Sequence, residues 1–324
     1  MPFGSEDNRL WNVIQVNPPS LRCGATGRRI SNLRLKSYIR VNSSPFAVEV
    51  PIRVRSRPDL VFVMLARVLT EKLFSAEEFR FSLGIGSVEP ADFLRNVEGE
   101  QMLELRRQAL DSSPNDYLGL IRDEAIWLAV QDFVQGLEPG ADATSIDTLG
   151  RSWEVDFVIL DRAAPHQVQG GCVCFPSGWS LPEKIGKSLF LTHAPVPGLN
   201  DDLGANISKL LSRIDSGQFI QRTNWGVTGS AELDQHPRHE IPAITASVDP
   251  RRVYLRIEWQ VLTAISAVAL LFGIRVFHVP VEEVRASPEL AMRLARNLET
   301  MPEVVARYKR LDQCREVLVK YLRG

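Results

Sequence analysis

The spacing of apolar positions changes from a helical to an alternating pattern near residue 145. From Pro58 to Leu73, the set Leu60, Val61, Met64, Val68 and Leu73 recurs near helical spacing and predicts an amphipathic helix. A second helix is predicted from about Arg95 to Leu110. A third runs from Asp116 to Leu137, with Leu120, Ile121, Ala125, Leu128, Ala129 and Phe133 turned inward. Residues 1–57, rich in Arg, Pro, Ser and Val, read as short strands and loops. The turn-rich stretch Gly136 to Ser145 is the best boundary. It separates a mixed strand and helix region, 1–145, from a core spanning 146–324.

Beyond the boundary the period is two. Trp153, Val155, Phe157 and Ile159 alternate with Glu154 and Asp156, and Gln169 to Phe175 extends similarly. Phe219 to Val227 alternates so that Arg222 and Asn224 share one strand face and Trp225 takes the other. The cleanest case sets Val253, Leu255, Ile257, Trp259 and Val261 against Tyr254, Arg256, Glu258 and Gln260. Val268 to Phe277 is apolar on both faces and suits a central strand. Helix returns at Ser287–Pro288–Glu289, with Leu290, Leu294, Ala295 and Leu298 as the buried stripe, and a last helix carries Leu311, Cys314, Leu318 and Leu322. Short connections between strands predict an antiparallel sheet flanked by helices, so the fold class is α+β.

Composition narrows the partners. The chain has 324 residues, 44% hydrophobic and 24% charged, enough for a full core without staples. With 38 basic and 39 acidic residues the formal net charge is −1, which leaves no electrostatic footprint for nucleic acid or an anionic membrane. The longest nearly apolar run, Val261 to Ile274, is shorter than the about 20 residues a membrane span needs and reads as buried strand. No basic start or apolar run marks a signal peptide, so the expected location is cytoplasmic. Four cysteines make no disulfide framework. Cys172 and Cys174 project the same way from an extended segment, as half a soft-metal site or as two small residues on a buried strand face.

The motifs G-x-G-x-x-G, H-E-x-x-H and G-x-S-x-G, and the phosphate loop, are all absent, which weakens nucleotide, zinc-protease and serine-hydrolase readings. Five histidines keep the ligand search short. His236 and His239 lie in a Pro- and Arg-containing polar loop, His166 also looks like loop, and His278 ends an apolar strand. His193 stands ahead of Pro195 and Pro197, whose fixed φ predicts a rigid, extended continuation. An imidazole so placed loses little freedom on binding a metal. Taken alone, it also suits a satisfied structural histidine.

Three ordered motifs change this picture. They are CFPSGW…EKIG…THAPVPG over 174–198, Arg222–Thr223–Asn224–Trp225, and LRIEWQVL over 255–262; Tyr308–Lys309 near the end also fits. Together they resemble the haem-dependent oxidative N-demethylase family, from about residue 150 to the C-terminus. The resemblance implies a b-type haem in a PAS-like antiparallel sheet. It implies oxidative removal of an N-methyl group from a small-molecule amine, using dioxygen and electrons from a separate reductase with flavin and iron–sulfur centres. By matching position it implies His193 as the axial iron ligand.

Around that ligand, Arg222, with Asn224 on the same face and Lys184 nearby, is expected to hold the cofactor, the cations neutralising a propionate. The alternative for Arg222 is an ordinary salt bridge with Glu183 or Asp156. Glu258 is the expected catalytic and amine-binding carboxylate; otherwise it pairs with Arg256 or a neighbouring strand. Trp259, expected with Glu258 to bind the substrate, stands where the family has Arg, although the alternation turns it away from Glu258. Together with Val261 for Thr and Ala264–Ile265–Ser266 for Leu-Pro, it points to a bulkier amine or a biosynthetic intermediate, oxidised at carbon or at nitrogen. The rival function is a haem-binding PAS-like sensor or gas-binding module without turnover.

Overall fold

The computed structural model describes residues 78–324 together with Leu73. The helix predicted over Pro58–Leu73 and the strands and loops read in 1–57 lie outside the described residues. All of 78–324 belongs to one compact unit, 54–324.

Among the described residues seven antiparallel strands form one sheet: β1 (Gly86–Ser87), β2 (Leu118–Gly119), β3 (Asp156–Asp161), β4 (Val168–Cys172), β5 (Ile220–Thr228), β6 (Tyr254–Ala264) and β7 (Ala269–Pro280), in the order β1-β5-β6-β7-β3-β4-β2. Among the five longer strands, chain order reads third, fourth, fifth, first, second across the sheet, which is the PAS-like arrangement. β7 sits at the centre, as its two apolar faces require. The apolar run Val261–Ile274 is not one strand. Ile265 and Ser266 donate to the carbonyl of Ala269 at 3.1 and 3.3 Å and turn the chain back into a hairpin of β6 and β7. Gly171 lets β3 and β4 close: its φ is +147°, and a Cβ there would meet the carbonyl oxygen of Phe157 at 2.1 Å.

Helices differ more from the sequence pattern. Instead of one helix from Arg95, Pro90–Leu94 and Glu100–Ser112 are separate, broken at Gly99, whose φ is 83°. The helix expected over Asp116–Leu137 is also two, Pro114–Tyr117 and Glu124–Leu137. Between them Leu118 and Gly119 pair with β4, and Asp123 starts a new helix by accepting from the amides of Ala125 and Ile126. The restart shifts the phase. Ile126, Val130 and Val134 are buried, whereas the expected inward residues Leu120 and Leu128 are 70% and 52% exposed. At the C-terminus the pattern holds: Leu290, Leu294, Ala295 and Leu298 are buried on the helix Pro288–Thr300, and Leu311, Cys314, Leu318 and Leu322 are buried around the helix Arg315–Arg323.

These elements cover the sheet unequally. One face, with Leu255, Ile257, Trp259, Val261 and Phe277, merges with the helical residues into the main core. Burying each such large side chain is worth about 1.5–3 kcal/mol. The other face changes along its length. Leu262, Ala264 and Leu270 form a smaller apolar cluster with Val158, Leu160, Leu211 and Ile214. Further along β6, Gln260, Glu258 and Arg256 follow in sequence on that same face.

Candidate functional site

The polar stretch of this second face is assembled by cross-strand register. Arg222 lies opposite Gln260 and Asn224 opposite Glu258, while on the other side Glu258 faces Val276 and Arg256 faces His278. Period two therefore brings Arg222, Asn224, Arg256, Glu258, Gln260 and His278 onto one surface.

Glu258 is 9% exposed, and both of its carboxylate oxygens accept hydrogen bonds. One carboxylate oxygen accepts from the Ser177 hydroxyl. The other accepts from the side-chain amides of Gln260 at 2.7 Å and Asn224 at 3.2 Å. Ser177 in turn accepts from Arg256 Nε at 2.7 Å, so it stands between guanidinium and carboxylate. The remaining Arg256 donors go to the carbonyls of Leu233, Phe175 and Pro176 and to His278 Nε2 at 2.9 Å. Burial pushes the Arg256 guanidinium down to about 10, opposed by the negative charges of Glu258, Asp156 and Asp234. The chain segment that supplies Ser177 is anchored in the sheet, because Asp156 accepts from the amides of Cys174 at 2.8 Å and Phe175 at 2.9 Å.

His278 closes this network. Its Nε2 accepts from Arg256, which leaves Nδ1 to donate to the carbonyl of Ala231 at 3.1 Å. Burial, and then the charge of Arg256, push its pKa from 6.5 down to about 4. A folded value below the unfolded one means that the unfolded chain binds the proton first. The stabilisation is therefore present above pH 6.5 and is lost as pH falls from 6.5 through about 4. At about 1.36 kcal/mol per pH unit the loss is a few kcal/mol at most, less what solvent screens at this half-buried ring. Urea midpoints at pH 7 and pH 4.5 are expected to separate further for the wild type than for His278→Gln. Equal separations would remove His278 from the acid response.

His193 reaches the site from a loop layer. It ends a one-turn helix, Leu189–His193, capped by the Ser188 hydroxyl. The backbone after it is not extended. Ala194 keeps helical angles, φ −52° and ψ −32°, although Pro195 follows, and Val196 donates to the carbonyl of His193 at 2.9 Å to close a turn. Asn200 ties the turn to the next helix, Leu199–Leu211, by donating to the carbonyl of Phe190 at 2.9 Å. The His193 imidazole has no hydrogen bond among the described residues. Burial, then the positive charges of Arg222 and Lys184, lower its pKa to about 4, so the ring is neutral with its nitrogens available. Lys184 comes from a 3-10 turn, Pro182–Lys184, fastened to β4 where Gly186 donates to the carbonyl of Val168.

Arg222 makes neither of the salt bridges that spacing allows. Its Nε donates to the carbonyl of Leu83 at 3.3 Å and its Nη1 to Gln260 Oε1 at 2.9 Å. Lys309, whose Nζ donates to the Trp225 carbonyl at 2.7 Å, also feels the charges of Glu258 and Arg222, and burial brings its ammonium down to about 8. The sequence-derived residues His193, Lys184, Arg222, Asn224 and Glu258 thus come together. Trp259 does not join them. It is 3% exposed on the opposite face, edge-on to Phe93 at 4.8 Å, and donates to Gln221 Oε1 at 2.9 Å.

Sequence reasoning named Arg256 only as an alternative partner of Glu258, and missed Ser177, Gln260, His278 and Lys309 as members of the network. The alternation of β6 was signal enough for Arg256 and Gln260. Ser177 and Lys309 arrive from distant segments; periodicity gave no hint of them, although both lie in the motif runs CFPSGW and Tyr308–Lys309. Cys172 and Cys174 lie elsewhere, buried and free, their sulfurs 3.8 Å apart beside Arg106.

Fold and site together define an α+β sheet protein with one polar sheet face, to which an imidazole without a hydrogen bond among the described residues, a fixed carboxylate and several cations contribute. The chain belongs to the family described as haem-dependent oxidative N-demethylase, alpha subunit-like, whose model matches residues 119–319. The match begins at Gly119 in β2 and spans Ser177, Lys184, His193, Arg222, Asn224, Arg256, Glu258, Gln260, His278 and Lys309. Among the described residues no helix is long and apolar enough to cross a membrane.

Proposed function

We propose that this protein is a haem-dependent monooxygenase that oxidises a methylated amine, with His193 as the iron ligand and electrons supplied by a partner reductase. The observation that carries this reading is the state of His193. It is a neutral imidazole without a hydrogen bond among the described residues, with the two cations Arg222 and Lys184 acting on it. A haem fits this donor set, since an imidazole nitrogen is a common iron ligand and guanidinium and ammonium groups suit its propionates. When bound, the haem supplies reductive activation of dioxygen for removal of the N-methyl group as aldehyde.

The chain's own residues then do the rest. Arg222 and Lys184 hold the propionates, and the turn closed by Val196 fixes the direction of the imidazole. Ser177, Asn224 and Gln260 hold the Glu258 carboxylate in one orientation, where it binds the ammonium of the substrate and exchanges a proton with it. The smaller apolar cluster around Leu262 and Leu270 keeps that end of the face dry.

The test is direct. Full-length protein reconstituted with haem, then given reductant, dioxygen and a methylated amine, is expected to release formaldehyde. Glu258→Gln is expected to keep its haem, lose the spectral change on amine addition, and fall roughly 100-fold or more in turnover. A variant that binds amine and turns over like the wild type would remove Glu258 from the site. A haem-loaded wild type without turnover on any amine would leave a haem-binding module.

A further inference from the structure

Among the described residues, every phenylalanine and tryptophan is buried or half-buried except Phe190, which is 62% exposed. Its backbone is nevertheless held firmly. The one-turn helix that carries it is tied at its start, where Ser188 pairs with Gln167 and Leu189 donates to the carbonyl of Pro165 at 3.3 Å. Asn200 then fixes the Phe190 carbonyl at 2.9 Å. An apolar ring of this size, set in an anchored turn and left largely in water, calls for a physical account.

Helical register sets its direction. At about 100° per residue, Leu189 and Phe190 stand about 40° and 60° from His193, and Leu191 stands about 160° away. Leu189 packs against the smaller apolar cluster on the second sheet face. The side of the turn that bears the imidazole is therefore apolar, and Phe190 widens it. Leu191 is 56% exposed on the opposite side, and a lone exposed aliphatic residue is ordinary on a protein surface.

On the function proposed above, on which this inference rests, His193 binds haem iron. An axial imidazole stands along the normal to the macrocycle, so apolar side chains flanking it within one turn overlie the ring on the ligand's side. A porphyrin is a broad apolar plane, and an aromatic ring packs on it by offset stacking and by area removed from water. We infer that Phe190 is a cofactor-contacting residue whose ring lies against the haem on the His193 side and helps to retain it. The imidazole supplies the bond and Phe190 the contact area.

Haem retention and the circular dichroism of the Soret band, measured on the reconstituted full-length protein, test this without any turnover. Transfer of haem to excess apomyoglobin is expected to run roughly tenfold or more faster from Phe190→Ala than from the wild type. Phe190→Leu should restore most of the retention, and Leu191→Ala should transfer haem at the wild-type rate. The Soret ellipticity of Phe190→Ala should change while its absorption maximum stays, because an aromatic neighbour is lost and the iron bond is kept. Phe190 loses this role if Phe190→Ala matches the wild type in transfer rate and ellipticity, or if Leu191→Ala speeds transfer as much. Wild-type retention in Phe190→Ala, combined with slower reduction by a protein electron donor, would assign the ring to a partner surface and overturn the contact as well. A wild type that takes up no haem, read by absorbance, strikes the proposed function and this contact with it. Haem held through His193 but indifferent to Phe190 strikes the contact alone.

Discussion

His193→Ala is expected to lose haem. Deleting the imidazole removes the only protein bond to iron that the proposed function provides, and the propionate cations cannot replace it. Affinity should fall by more than the 10–100-fold typical of losing an outer-shell partner of a metal ligand. The absorption spectrum reads the effect, with the Soret band of the reconstituted protein moving to that of free haem. Free imidazole should restore the band, because the truncated side chain leaves room for it at the same place. An unchanged band in the variant would place the ligand elsewhere and undo the assignment of the whole face.

The largest expected effect on stability belongs to a residue outside the site. Asp156 is 1% exposed and holds three donors: Arg106 Nη1 at 2.6 Å and the amides of Cys174 and Phe175. Asp156→Ala leaves a buried guanidinium and two buried amides without that acceptor. Breaking one side of a buried ion pair costs about 3–5 kcal/mol. Arg106 keeps its bond to the Gly150 carbonyl at 2.7 Å, which limits the loss. Because the released amides begin the segment that delivers Ser177, the same variant should weaken amine binding even when folded. Urea unfolding gives the first effect and amine titration the second. An unfolding midpoint like that of the wild type would show that Arg106 finds another partner.

Much of the sheet was legible in the sequence, and for a simple reason. An alternation such as Tyr254 to Val261 is a local property, and each residue's face follows from its parity along the strand. That is why Arg222 and Asn224 were placed together, and why Trp259 was turned away from Glu258. Helices at the C-terminus were legible for the same reason. The helices before residue 145 were less so. At Leu118 and Gly119 the chain is captured by β4, a partner about fifty residues away, and the restart at Asp123 rotates the buried stripe from Leu120 and Leu128 to Ile126, Val130 and Val134. Composition cannot reveal such a capture, because either stripe is apolar enough to be buried.

The immediate surroundings of His193 show the same division. Its two prolines suggested an extended stretch, yet Ala194 takes helical angles, held there by the turn bond from Val196. Local preference gave way to a loop fastened at both ends, by Gly186 on β4 and by Asn200 on the following helix.

By itself the sequence determined the antiparallel α+β class, the strand faces, and the residues His193, Arg222 and Glu258 as the chemistry to examine. Only the tertiary structure decided that Ser177 separates Arg256 from Glu258 and that Lys309 joins β5 from the far end of the chain. Parity along a strand is encoded within a few neighbours. The pairing of charges depends on which distant loops close over the sheet, and no local pattern carries that information.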